Sequence, residues 1–144
     1  MIDNNLDPSI NLGLHLDENQ SLSYSLAQAF IEMKPPTRGI TVDGSLYGMG
    51  RVPGNLCIEL IMEYMNHTHA KGYSMEPVYD AIDEYIVDIK KRIPWGYSTA
   101  YALSAQHRVH RTFAEYLLNK GTLKTKQINQ ILSMIAPDKK TRWN

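Results

Sequence analysis

Two groups of residues near the start of the chain have types and spacing that could serve chemistry. His15 and Asp17 end an apolar run and lie two residues apart, so on a β-strand their side chains point to the same side. A glycine-rich loop follows Asp43, and its glycines permit positive φ or the close approach of another group. These glycines are Gly44, Gly48, Gly50 and Gly54. The pattern predicts a loop that holds a ligand.

Apolar spacing predicts the elements that position these residues. Residues 11–17 and 39–43 have the pattern of short strands, residues 21–33 have that of a helix, and a second helix follows the loop. Two successive strand–helix units require parallel strands, and ligands bind at the carboxyl ends of such strands. The apolar stripe of the first helix consists of Leu22, Leu26, Ala29, Phe30 and Met33.

Two motifs carry a resemblance to a known superfamily. They are Gly13-Leu-His15-x-Asp17 and a run from Asp43-Gly-Ser45 through Gly48-Met-Gly-Arg51-x-x-Gly54-Asn55-Leu-x-x-Glu59. Over residues 8–66 the chain resembles the later strands of the metal-dependent aldolase and lyase superfamily. That group has a pyruvate carboxyltransferase-like domain and includes 3-hydroxy-3-methylglutaryl-coenzyme A lyase and 2-isopropylmalate synthase. The Gly-Met-Gly-Arg form is most similar to 4-hydroxy-2-oxovalerate aldolase.

The resemblance implies a fold, a reaction and a set of site residues. In the family, a (β/α)₈ TIM barrel holds a divalent metal, and carbon–carbon bonds next to 2-oxo acids are cleaved or formed through an enolate. By this match the metal, Mn²⁺ or Mg²⁺, would be held by His15, Asp17 and Asn55. Asp17 stands where the family has a second His, and a carboxylate suits these hard ions but changes the charge of the site. Loop or substrate-binding roles fall to Asp43, Ser45, Gly48, Gly50, Arg51 and Gly54.

The barrel implied by the resemblance is incomplete. A full barrel needs ~250 residues and eight strands, whereas residues 1–72 match only strands six and seven, and the family's first-strand Asp-Arg-Glu motif does not occur. We therefore expect an aldolase- or lyase-like protein that is inactive and binds metal weakly as this chain alone. The alternative is a non-enzymatic interaction subunit. In either case a partner chain, or another copy of this one, would supply the missing strands.

The rest of the chain has helical spacing. Residues 73–137 are expected to form a helical C-terminal region, with a helix from near Glu76 ended by Pro94, an N-cap at Ser98 and stops at Gly121 and Pro137. No strand pattern is evident near residues 70–76, where an eighth strand would lie. The tail, residues 138–144, is expected to fray.

Charge and composition limit the class of protein. Residues 1–89 carry 13 acidic and 4 basic side chains, and residues 90–144 carry 2 and 11, although the net charge is zero. We interpret this asymmetry as attraction between the halves or to an acidic partner; a basic helical nucleic-acid binder is the less favoured class. A single cysteine excludes an internal disulfide framework. No signal peptide or long apolar run is evident, which predicts a cytoplasmic protein without a membrane span.

Several of these residues also have purely structural interpretations. His15 could be an ordinary half-buried histidine, Asn55 could be the N-cap of the following helix, and Arg51 could clamp an anion or pair with Asp43. Cys57 falls in an apolar stripe and is interpreted as a core thiol. The remaining expectations are surface positions for His67 and His69, a solvated face over His107, Arg108, His110 and Arg111, and a packing anchor between helices from Trp95 and Tyr97.

Overall fold

The structure, a computed structural model, describes residues 5–7 and 9–141. The chain divides into two compact units, and the division falls between Gly96 and Tyr97. The predicted boundary between residues 72 and 73 lies inside the first unit instead.

The first unit contains the two predicted strand–helix units. In chain order these are strand β1 (Leu12–Leu14), helix α1 (Ser23–Met33), strand β2 (Ile40–Val42) and helix α2 (Ile58–His69). The strands pair in parallel, as a helical crossover requires. Among residues 5–7 and 9–141 they form the whole sheet, so the described chain is mixed α/β, mostly helical, and not a complete barrel.

β1 is shorter than the predicted strand over residues 11–17. It ends at Leu14, after which the chain leaves the sheet and runs antiparallel to the end of the glycine loop. The Leu56 N–H donates to the Leu16 carbonyl at 3.2 Å, and the Glu18 N–H donates to the Gly54 carbonyl at 3.0 Å. Asp17 therefore lies on this antiparallel segment and not on the strand.

The core of the first unit lies between the sheet, α1 and α2. Ala27 and Leu56 are fully buried, and Ile31 and Ile61 are nearly so. Apolar residues of both strands, among them Leu14 and Val42, pack against this cluster.

The apolar stripe that predicted α1 is not the face that the helix buries. Leu22, Leu26 and Met33 are 49%, 51% and 68% exposed, whereas Ala27 and Ile31 are buried. α1 has two apolar stripes, and periodicity alone does not decide which one faces the sheet. The small Ala27 side chain suits the close approach of the helix to the strands.

A helical run leads back to the glycine loop. It consists of α3 (Glu76–Ala81), a π-helical turn (Ile82–Ile86) and α4 (Val87–Arg92), and it ends before Pro94 as predicted. The π-helical turn, with Ile82 and Ile86 buried, packs against a 3₁₀ turn in the loop. This packing keeps the run within the first unit.

Residues 70–75 do not add a strand to the sheet, in agreement with the sequence. Both backbone groups of Tyr73 bind the Asn66 side chain: the Tyr73 N–H donates to Oδ1 at 2.6 Å, and Nδ2 donates to the Tyr73 carbonyl at 2.8 Å. The outer edge of β2 therefore stays free of this segment.

The second unit is a group of three helices. They are α5 (Thr99–Gln106), α6 (Arg111–Asn119) and α7 (Thr125–Ser133), each in contact with the other two. Ser98 caps α5 as predicted, since its side chain accepts from the Tyr101 N–H at 3.4 Å. The buried side chains include Tyr101, Ala114, Leu117, Ile128 and Leu132.

The first part of the predicted frayed tail is held in place. Pro137–Lys139 form a 3₁₀ turn. The Lys140 carbonyl accepts from the His110 N–H at 2.7 Å, and its ammonium donates to the His107 carbonyl at 3.0 Å. Residues 142–144 lie outside the described residues. Across the described parts of both units, no helix has the length and apolar character needed to cross a membrane.

Two substitutions on α1 test which face is buried. Ile31→Ala should lower the free energy of unfolding by ~2–4 kcal/mol, because it removes a buried side chain from the core. Leu26→Ala, on the exposed stripe, should change it by less than ~0.5 kcal/mol. Urea unfolding followed by circular dichroism measures both. A larger loss for Leu26→Ala would contradict the packing.

Candidate functional site

The carboxyl ends of the two strands bring a histidine and a carboxylate together. In the parallel register Leu14 lies opposite Val42, so the next residues along each strand, His15 and Asp43, are neighbours. His15 Nδ1 lies 3.8 Å from Asp43 Oδ2, and both side chains are 60% exposed. In the sequence His15 and Asp43 belong to two separate groups of residues. The register of the two strands is the signal that could have predicted their pairing.

Asp17 and Asn55 lie across from each other, and among the described residues Asp17 does not join His15 and Asp43 in a cluster of three. They form an antiparallel β-bridge where the segment after β1 meets the end of the glycine loop. The Asn55 side chain donates through Nδ2 to the Met49 carbonyl at 3.0 Å. It does not cap α2, because the helix begins at Ile58 and its N-cap position is Cys57. The capping interpretation of Asn55 is therefore wrong, and its amide closes the loop instead.

The loop between Gly44 and Cys57 is closed on itself. Ser45 Oγ donates to the Met49 carbonyl at 2.6 Å, the same oxygen that accepts from Asn55. The Asn55 N–H donates to the Gly48 carbonyl at 3.0 Å. These hydrogen bonds fix the backbone of the loop, and none of them uses the side chain of His15 or Asp43.

The predicted need for glycine is confirmed at two loop positions. Gly48 and Gly54 have φ of +65° and +99°, where L residues are strained. A Cβ at Gly54 would lie 2.6 Å from the Gly48 carbonyl oxygen, and one at Gly48 would lie 2.9 Å from the Asn55 carbonyl oxygen. The two turns of the loop therefore pass too close for any side chain.

Trp95 was predicted to pack between helices. In the structure it packs on the glycine loop instead. It is 8% exposed, and its indole Nε1 donates to the Tyr47 carbonyl at 2.8 Å. Tyr97, its predicted companion, is 59% exposed. The role of Tyr47 was not evident from the sequence, because its contacts with Lys90 and Trp95 join residues more than 40 positions apart.

Arg51 is exposed on the loop and makes none of the described ion pairs. The pairing of Arg51 with Asp43 is not observed, since the carboxylate of Asp43 faces His15 instead. Within the second unit, the four basic side chains near α6 form no common anion site. His107 pairs with Asn129, His110 with Thr112 and Arg111 with Glu115, and Arg108 is exposed.

Cys57 is a half-buried thiol with little nucleophilic character. Burial raises its pKa to about 11, and the nearby Glu59 carboxylate adds to the shift. A thiol with so high a pKa is almost wholly protonated at neutral pH. Cys57 is thus half-buried at the N-cap position of α2, outside the core cluster, and its raised pKa disfavours a nucleophilic role.

The residues present fit part of a metal site. His15 and Asp43 offer nitrogen and oxygen donors of the kinds that Mn²⁺ and Mg²⁺ accept. Asn19 Oδ1, two residues after Asp17, is buried without a hydrogen-bond partner. Within the described ranges, however, no group of three His, Cys, Asp or Glu side chains gathers in one place. This chain therefore offers an incomplete ligand set.

A second titratable cluster joins the far ends of α1 and α2. The Tyr64 hydroxyl donates to Glu32 Oε1 at 2.6 Å, and His69 Nε2 lies 2.8 Å from the same oxygen. These contacts lower the pKa of Glu32 and raise that of Tyr64. His69 is exposed, as predicted for a surface residue, and its ring makes an edge contact with that of Tyr64. Both helices run away from the strand carboxyl ends, so this cluster lies at the opposite end of the sheet.

Comparison with known proteins finds a related fold. The chain superposes on the crystal structure of the N-terminal domain of a "putative aldolase" from Bacteroides vulgatus with a TM-score of 0.69 and 21% sequence identity. The match covers 85% of this chain and 38% of that one, so the chain spans little more than a third of the solved domain. No model of a protein family matches the sequence. The chain therefore shares the fold of part of this aldolase-like domain.

The pH dependence of Cys57 alkylation tests the packing beneath the loop. Because burial raises the thiol pKa to about 11, the rate of reaction with iodoacetamide should rise about tenfold per pH unit up to that pH. In urea the rate should level off near pH 9.0, the ordinary pKa of an exposed cysteine thiol. The single cysteine makes mass spectrometry unambiguous. A native rate that levels off below pH 9 would show that the thiol is not buried.

Proposed function

We propose that this chain is part of an aldolase- or lyase-type α/β protein that acts on 2-oxo acids. In this proposal it carries the substrate loop and some of the metal ligands, and it needs further strands for turnover. Those strands would come from another chain or from a further part of a longer polypeptide. The fold shared with the Bacteroides vulgatus domain supports the general class.

The observation that carries the proposal is the pairing of His15 with Asp43 at the carboxyl ends of two parallel strands. Catalytic groups of (β/α)₈ enzymes lie at this end of the barrel. The pair is exposed, so both side chains are available to a ligand. Asp17 and Asn55, the other metal ligands that the resemblance implies, pair with each other where the segment after β1 meets the end of the loop.

The loop supplies the second part of the proposed site. Its backbone is fixed beside the strand ends, and its glycines leave room for a substrate to approach. Arg51 extends from this loop with its guanidinium free of described ion pairs, and such a group can bind a carboxylate through two parallel hydrogen bonds. We assign it to the carboxylate of the 2-oxo acid.

Metal binding in the proposed site uses His15 and Asp43, with Asp17 and Asn55 as further ligands. The chemistry that a bound Mn²⁺ or Mg²⁺ supplies is polarisation of the substrate carbonyl. The Asn55 amide would have to leave the Met49 carbonyl to offer its oxygen. An incomplete set of this kind should bind metal weakly.

Assays of the chain alone test its dependence on further strands. With pyruvate, a panel of aldehydes and Mn²⁺, we expect no aldol product, because the described residues complete neither the ligand set nor an enolate-stabilising group. Product is measured by chromatography. Metal-dependent turnover abolished by His15→Ala would show that the site is complete without further strands.

Calorimetric titration with Mn²⁺ tests the location of the ligands. His15→Ala and Asp43→Ala should each weaken the affinity at least ~10-fold, as expected for loss of a ligand. His67→Ala is the matched control, since it removes an exposed histidine of α2. If His67→Ala weakens binding and His15→Ala does not, the proposed site is wrong.

A second candidate function is that of a non-enzymatic subunit that completes a barrel with another chain. It is favoured by the uncovered apolar stripe of α1, with Leu22, Leu26 and Met33 all about half exposed or more. An apolar cavity of about 170 Å³ also lies at β2, where Ile40 and Val42 line it together with residues of α1 and α2. Soluble monomers rarely leave apolar stripes and sheet edges unprotected.

Analytical ultracentrifugation over a dilution series tests this assembly. We expect self-association, and Leu26→Glu should shift the equilibrium toward monomer because it places a charge on the apolar stripe. Ser25→Glu adds the same charge at a neighbouring exposed polar position and should leave association unchanged. A monomer at every concentration would contradict assembly of this chain with itself.

A further inference from the structure

Tyr47 has an unusual backbone conformation at the centre of the glycine loop. Its φ and ψ are 54° and 25°, in the left-handed region that bulky L residues seldom occupy. Such a conformation persists only where surrounding contacts determine it. The contacts that hold Tyr47 therefore set the course of the loop.

Three side chains contact Tyr47. Its N–H donates to Glu59 Oε2 at 3.1 Å, and its carbonyl accepts from Trp95 Nε1 at 2.8 Å. Lys90 Nζ lies 3.9 Å from the centre of the Tyr47 ring, a cation–π distance. Both polar groups of the Tyr47 backbone are thus bound by side chains.

Glu59 is the most informative of these partners. It is 7% exposed, although glutamates are rarely buried unless their oxygens have partners. It lies in the first turn of α2. Its carboxylate accepts a hydrogen bond from the Tyr47 N–H of the loop and also has a hydrogen bond with the Cys57 side chain.

We propose that Glu59 is a positioning residue that fixes the glycine loop through the Tyr47 N–H. Glu59 is buried and binds the loop backbone, whereas His15 and Asp43 are exposed, so it would act on a ligand only through the loop. This inference depends on the proposed function only for the identity of the ligand that the loop binds. Its test measures the position of the loop and needs neither metal nor substrate.

Hydrogen exchange of the Trp95 indole N–H reports loop position directly, because this proton is bound to the Tyr47 carbonyl. In Glu59→Ala the N–H of Tyr47 loses its acceptor, and indole exchange should accelerate at least ~10-fold. Glu59→Gln keeps a carbonyl oxygen at the same place and should retain exchange within about twofold of wild type. Trp95→Phe assigns the resonance.

A glycine substitution at position 47 should rescue the loop conformation in the Glu59→Ala variant. Since glycine adopts positive φ without strain, Tyr47→Gly in the Glu59→Ala background should restore indole protection. Glu63→Ala is the matched control, because Glu63 lies one turn further along α2, is exposed and binds Tyr79 instead. It should leave indole exchange unchanged.

Thermal unfolding establishes which variants fold. The proposal is overturned if folded Glu59→Ala keeps wild-type protection, or if Glu59→Gln loses it. If Glu59→Ala does not fold, the Tyr47→Gly double variant decides: a folded, protected protein supports positioning through Tyr47, and an unfolded one overturns it.

Discussion

The parallel pairing of β1 with β2 is the constraint on which the rest of the first unit depends. Its register places Leu14 opposite Val42 and turns both toward the core. The same register makes His15 and Asp43 neighbours at the carboxyl edge. A shift by one residue would move the apolar side chains to the other face and separate this pair. Core packing therefore fixes the geometry of the candidate site.

Contacts from several elements fix the conformation of the glycine loop. The segment after β1 pairs with its end, Glu59 of α2 binds Tyr47, and Trp95 binds the same residue from beyond α4. Residues 76–96 are for this reason part of the first unit and not an appendage. The loop does not depend on the exposed side chains at the strand ends, which remain available to a ligand.

Local signals in the sequence predicted the local features of the fold. The two strands, the helices, the Ser98 cap and the stop near Pro94 follow from apolar spacing and capping residues within a few positions. The glycine requirement at Gly48 and Gly54 was also predictable, because a dense glycine loop implies positive φ or close backbone approach. The parallel strands followed from the strand–helix order.

Features that depend on distant parts of the chain were not predictable in this way. The buried face of α1 depends on which of two apolar stripes meets the sheet. Capping of α2 by the Asn55 side chain was one interpretation beside metal binding, whereas in the structure its amide donates to the Met49 carbonyl. The left-handed Tyr47 and its contact with Trp95 depend on packing between residues far apart in sequence.

Paramagnetic broadening by Mn²⁺ in amide NMR spectra tests the central claim most directly, namely that the ligand site lies at the strand carboxyl ends. At substoichiometric Mn²⁺, the amides of His15, Asp43 and the loop residues from Gly48 to Gly54, apart from Pro53, should broaden first. The paramagnetic relaxation rate falls steeply with distance from the ion. Amides near Glu32 and His69, at the opposite end of the sheet, should stay sharp. Broadening centred on Glu32 and His69, or on the histidines of the second unit, would contradict the account.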